Sequence, residues 1–149
     1  MGEKKIDAIV DIGGKPSVNR VATATGLLIL NSDTISAIKD GEITKGDVFE
    51  ASTIAAIQAV KLTPTIIPHC HPIPLESCKV DWEFGDSSIR CTVEVGANYR
   101  TGVEMEALTG VSAGLLCAFD MVKSLEKDTD GQYPIAVIQD VKVIRKIKG

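Results

Sequence analysis

The residues best suited to chemistry fall into three short groups. Lys45-Gly46-Asp47 places an ammonium just before a helix start, where unpaired N–H groups and the positive end of the helix dipole favour a bound anion. The plain alternative is a solvated turn lysine. His69-Cys70-His71 sets two imidazoles and a thiol in a segment with prolines at 64, 68, 72 and 74, too many for a helix or a central strand. A stiff, extended loop of this kind can hold side chains in place without a regular element. Asp120 and Lys123 stand at i and i+3, which makes either a surface ion pair or an acid/base couple in a cleft. Lysines and a carboxylate brought into one pocket could neutralise phosphates and move protons.

The elements that must carry these groups can be read from pattern. Asp47 followed by Glu50 is a capping-box start for a helix from about Val48 to Leu62, ended by Thr63-Pro64. Ala51, Ala55, Ala56 and Ala59 leave that helix thin on one side, open to a close helix neighbour. Thr101 and Glu104 repeat the capping pattern and open a long helix to about Lys127. On it Met105, Leu108, Val111, Leu115, Phe119 and Val122 form an apolar stripe for the sheet, and Glu106, Gly110, Ala113, Cys117 and Asp120 a strip on the opposite side. Glu106 and Asp120 lie roughly 21 Å apart along such a helix, too far for one acid/base pair within a subunit.

Val21 to Leu30 reads as the first strand, and Asn31-Ser32-Asp33 caps a short helix that ends at Asp40-Gly41. Lys79 to Phe84 and Ile89 to Val95 alternate around Gly85-Asp86-Ser87-Ser88 as an antiparallel hairpin. Tyr133 to Ile147 supplies a last strand with a basic edge, and residues 1–20 form an arm or loop. This order predicts an α+β fold, a ferredoxin-like sandwich with an antiparallel sheet covered by helices on one face, in a single domain over residues 1–149. The uncovered face predicts apolar surface that another copy of the chain or the terminal arm must bury.

Composition narrows the class. With 149 residues, 44% of them hydrophobic, the chain can bury its own core, and a net charge of −4 argues against a general nucleic-acid or membrane binder. No apolar run of membrane-spanning length and no signal peptide is expected, which points to the cytoplasm. The cysteines at 70, 78, 91 and 117 form no C-x-x-C pair, and Cys91 alternates with Ile89 and Val93 as a core residue. The His69-Cys70-His71 loop could ligate a metal, but it lacks partners at ligand spacing, so no metal is expected.

Four stretches in order closely resemble the cyclic pyranopterin monophosphate synthase family of molybdenum cofactor biosynthesis: Lys45-Gly46-Asp47-Val48, Cys70-His71-Pro72, Thr101-Gly102-Val103-Glu104-Met105-Glu106-Ala107-Leu108-Thr109 and Asp120-Met121-Val122-Lys123. The similarity runs from about Val10 to Lys146. His69 stands where the family more often has an apolar residue. The Gly- and Lys-rich loop found near the C-terminus of many members is missing, which leaves its role to Lys146 and its neighbours. The resemblance implies conversion of 3′,8-cyclo-7,8-dihydroguanosine 5′-triphosphate, supplied from GTP by a radical SAM cyclase, to cyclic pyranopterin monophosphate and pyrophosphate.

It implies Asp120 as acid/base with Lys45 and Lys123 as phosphate-neutralising or proton-donating groups. Substrate contacts would come from His69, Cys70, His71, Met105 and Glu106. Further contacts would come from Glu104, Arg20, Lys15, Lys61 and Lys146. No cofactor is firmly implied, although magnesium could accompany the triphosphate, and a hexamer built from dimers is implied as the assembly. The contrasting reading is a regulatory module on the same fold that binds a nucleotide without chemistry, which would have no need of a paired acid and amine beside a lysine-headed helix.

Overall fold

Among the described residues, alternating apolar and polar positions make four strands, and every pairing among them is antiparallel. The computed structural model describes residues 2–149. Its elements are β1 (Val18–Ile29), α1 (Ser32–Lys39), α2 (Val48–Lys61), α3 (Thr63–Ile66), β2 (Ser77–Phe84), β3 (Ser88–Tyr99), α4 (Glu104–Glu126) and β4 (Val137–Lys148). The sheet order β2-β3-β1-β4, with the helices packed on one face, is the ferredoxin-like sandwich that the element order predicts. Ala22, Ala24 and Leu28 of β1 meet Ile89, Cys91, Val93 and Val95 of β3 under Ala107, Val111, Leu115, Ala118 and Val122 of α4, all buried.

Several boundaries differ from the sequence reading. The first strand begins at Val18, so Arg20 belongs to the sheet and is buried rather than carried on an arm. Pro64 does not open an extended loop: it sits in the first turn of α3, where its missing N–H costs nothing. A turn follows, closed by Cys70 N–H to Ile67 O at 3.0 Å, and the extended stretch begins only at His71. Asn31 occupies the N-cap position of α1 without capping through its own side chain, and Val103 rather than Thr101 precedes α4, again without a side-chain cap.

The long helix also turns differently from its apolar stripe. Met105 is 42% exposed, while Gly110 and Gly114 are buried where α4 meets α2. A Cβ on Gly110 would lie 2.6 Å from Val60 Cγ2, so α2 approaches α4 through bare backbone there. Ala56 of α2 faces Gly114 across the same seam, as the thin side of that helix predicts, whereas Ala113 and Cys117 are only half-buried. The length and apolarity of α4 would suffice to cross a membrane, contrary to the reading of no such run. About half of that stretch is buried, packed on the sheet and on α2.

The open face of the sheet is polar at its centre. Thr25 donates to Cys91 O at 3.1 Å and accepts from Arg90 Nη1 at 3.1 Å, with Thr92 beside it. Exposed apolar residues occur elsewhere, among them Leu116 and Leu125 on opposite sides of α4 and Ile144 and Ile147 along β4.

Candidate active site

A turn delivers the first lysine. Gly46 N–H bonds Ile43 O at 3.0 Å and Gly46 takes φ 115°, a conformation glycine adopts without strain. Asp47 then caps α2 by accepting from Glu50 N–H at 3.0 Å. Lys45 leaves this turn toward α4, where its Nζ lies 2.9 Å from Asp120 Oδ2 and 3.0 Å from the Asp120 carbonyl. Lys123 reaches the other carboxylate oxygen at 3.0 Å. Lys45, Asp120 and Lys123 thus meet within one chain, through two elements far apart in sequence.

Electrostatics in this cluster run both ways. The Lys45 hydrogen bond, and then that of Lys123, hold the Asp120 carboxyl below its ordinary range, and Asp120 in turn raises Lys123. All three side chains are about half exposed, so a phosphate could reach both ammonium groups. A cavity of about 290 Å³ lined by Thr44, Lys45, Met121 and Ser124 opens beside them.

The second cluster lies at the other end of α4. His69, Cys70, His71, Glu104, Met105 and Glu106 line one cavity of about 370 Å³, with Lys15 on its wall. The carbonyls of Ala8 and Val10 contact the two imidazoles, the second at 2.7 Å from His71 Nε2, so the N-terminal segment is fastened across the histidine loop. Glu106 is 3% exposed, and burial followed by the neighbouring Glu104 pushes its carboxyl up. Cys70 is likewise raised by burial and then by Glu106. Thr101, Gly102 and Ile73 also line the cavity; the first two sit in a motif visible in the sequence, but nothing local marks them as wall residues.

Basic groups flank this cavity unequally. Lys146 Nζ lies 2.8 Å from Glu104 Oε1. Burial raises the Glu104 carboxyl, but the Lys146 hydrogen bond and charge outweigh it and leave the group lowered. Arg20 is 6% exposed, bonds Arg100 O at 3.4 Å, and leaves Nε without a partner. Lys61 does not join these residues. It lines a separate hollow with Glu76 and Cys78, because the end of α2 points toward the edge strand β2. Among the described residues, no three His, Cys, Asp or Glu side chains cluster to hold a metal ion.

Residues 9–149 match the model of the MoaC family. The chain belongs to the MoaC family. A relative from Thermococcus kodakarensis, named probable cyclic pyranopterin monophosphate synthase, is 53% identical over 95% of this chain and 90% of its own length. A protein of the same name from Pyrococcus abyssi is 53% identical over 94% of the chain and 88% of its own length. One from Methanothermobacter thermautotrophicus, 51% identical over the same shares, is named a probable cyclic pyranopterin monophosphate synthase accessory protein.

Proposed function

We propose that this MoaC-family protein is a cyclic pyranopterin monophosphate synthase, a phosphorus-oxygen lyase at an early step of molybdenum cofactor biosynthesis. It converts 3′,8-cyclo-7,8-dihydroguanosine 5′-triphosphate to cyclic pyranopterin monophosphate and releases pyrophosphate. The observation that carries this reading is the Lys45–Asp120–Lys123 cluster, set in a chain that shares about half its residues with proteins of that name.

The chemistry follows from the charges. Two ammonium groups on one exposed carboxylate make a site that an incoming triphosphate can reorganise by drawing both cations onto its oxygens. Asp120 then loses the partners that depress it and becomes a stronger base than in the resting cluster, while Lys45 and Lys123 neutralise the departing pyrophosphate. At the other end of α4, His69, Cys70, His71, Met105 and Glu106 contact the purine-derived rings as they open and close again. Glu104 and Lys15 on the cavity wall, with Lys146 paired to Glu104, offer anion and hydrogen-bond contacts, and the buried Arg20 adds positive charge toward Glu104. Lys61 lies apart from both clusters, so it has no place in a site built from one chain alone.

About 21 Å of helix separates Glu106 from Asp120, so one pocket unites the two clusters only if they come from different chains. A homo-oligomer, by resemblance a hexamer built from three dimers, supplies that geometry. The substrate comes from a radical SAM enzyme acting on GTP in the cytoplasm, and magnesium arrives bound to the triphosphate rather than in a protein cage. Incubation with the cyclised triphosphate, followed by detection of pyrophosphate and the cyclic monophosphate, tests the assignment. Tight binding without pyrophosphate would favour the regulatory module instead.

A further inference from the structure

Glu126 is the last residue of α4 and is 3% exposed, yet the chemistry above makes no use of it. Its carboxylate lies at the N-terminus of α1. Oε2 accepts from Asn31 N–H at 3.1 Å and from the buried Thr34 hydroxyl, and Oε1 accepts from Asn31 Nδ2 at 3.1 Å. Asn31 makes no side-chain cap of its own, so a glutamate from a distant helix performs the capping and places a negative charge at the positive end of α1.

The chain between this anchor and Lys45 is short and bonded. Beyond α1, Gly41 N–H bonds Ile38 O at 3.2 Å and Glu42 N–H bonds Ala37 O at 2.9 Å, which fixes the direction in which the chain leaves. Ile43 is buried, and its carbonyl closes the turn that presents Lys45. Segment 31–45 is therefore a strap tied to α4 at both ends, by Glu126 inside the protein and by Lys45 on Asp120 at the surface. The two ties sit roughly 9 Å apart along α4. When phosphate draws Lys45 off Asp120, the buried tie is the one that stays.

We propose that Glu126 is a positioning residue: by holding the N-terminus of α1 to the end of α4, it sets the distance of the Lys45 ammonium from Asp120 and Lys123. The catalytic part of this inference rests on the function proposed above; the placement of Lys45 does not. A cap that served only stability would lower the melting temperature when altered but leave the surface cluster of the folded protein as it was.

The test is Glu126→Gln in the full chain, followed by ¹³C NMR titration of the Asp120 carboxyl and by steady-state kinetics on the cyclised triphosphate. Positioning predicts that the Asp120 midpoint rises as Lys45 drifts away. It also predicts a fall in kcat on the order of ten- to a hundredfold, with KM changed by less than about twofold. Glu126→Asp, which keeps the charge on a shorter arm, should recover part of both. If Glu126→Gln does not fold, Thr34→Val removes one donor while keeping the carboxylate and should move Asp120 in the same direction. An unchanged Asp120 titration in the folded variant overturns the proposal. A moved titration with no turnover even in the wild type upholds the placement and sinks the proposed function instead.

Discussion

At Asp120 two cations converge on one half-exposed carboxylate, and their hydrogen bonds and charges outweigh its small desolvation penalty, so its properties are set mainly by Lys45 and Lys123. Removing either should cost function rather than fold. Lys45→Ala and Lys123→Ala are each expected to lower kcat by on the order of a hundredfold or more, with melting temperatures close to wild type, because each severs only an exposed ion pair. Near-normal turnover in either variant would remove that lysine from the site.

Glu106 presents the opposite balance. Its folded pKa is raised by burial and then by Glu104, so the native state binds more protons than the unfolded chain and stability falls as pH climbs from the ordinary glutamate value of about 4.3 through the raised one. Glu106→Gln should therefore melt higher than wild type at pH 7, lose that advantage below about pH 4, and still turn over poorly. A melting difference independent of pH would remove the burial argument. The residue types of both clusters were legible in the sequence because their motifs are local. Glu126 was not, since its partners lie in another helix more than ninety residues away and nothing near it in the chain announces a cap.

Among the elements, the seam between α2 and α4 shows how glycine spacing becomes geometry. A Cβ on Gly110 would meet the stiff, β-branched Val60 at 2.6 Å and the Ala56 carbonyl at 3.5 Å, whereas on Gly114 it would make ordinary contacts at 3.4 Å. Gly110→Ala should thus push the helices apart and cost about 1–3 kcal/mol. Gly114→Ala gains roughly 1 kcal/mol of helix propensity against a milder fit and should be near neutral. Thermal or urea melts of the two variants decide it; equal losses would mean that the seam does not depend on close approach at Gly110. The sequence pattern located every strand and both long helices, because alternation and helical spacing are local signals. It misplaced Pro64 and the start of α4, where a turn can be satisfied in several ways and tertiary neighbours choose among them. Arg20 was misjudged for a related reason: a glycine- and proline-rich arm hides the point at which pairing with β3 begins, at Val18 opposite Tyr99.

For the whole molecule the decisive fact is which residues share a chain. A sequence can show that Glu106 and Asp120 are too far apart to share a pocket, but it cannot say on which side of that division Lys45 falls. The structure places Lys45 on Asp120 of its own chain, which puts it on the Asp120 side. Mixing Lys45→Ala with Asp120→Ala subunits should therefore restore nothing, since both changes break the same cluster wherever the chains pair. The informative mixture is Lys123→Ala with His71→Ala. If a pocket combines the lysine cluster of one chain with the histidine cavity of another, each mixed pair holds one doubly damaged site and one intact site. Random pairing then makes about a quarter of all sites whole. Subunit exchange must come first, under mild denaturant, with tagged chains to confirm mixed assemblies. Recovery approaching a quarter of wild-type turnover, against none for the Lys45→Ala and Asp120→Ala mixture, would support a site shared between chains. Mixed assemblies with no recovery in either mixture, or full activity in a dilute monomer, would rule it out.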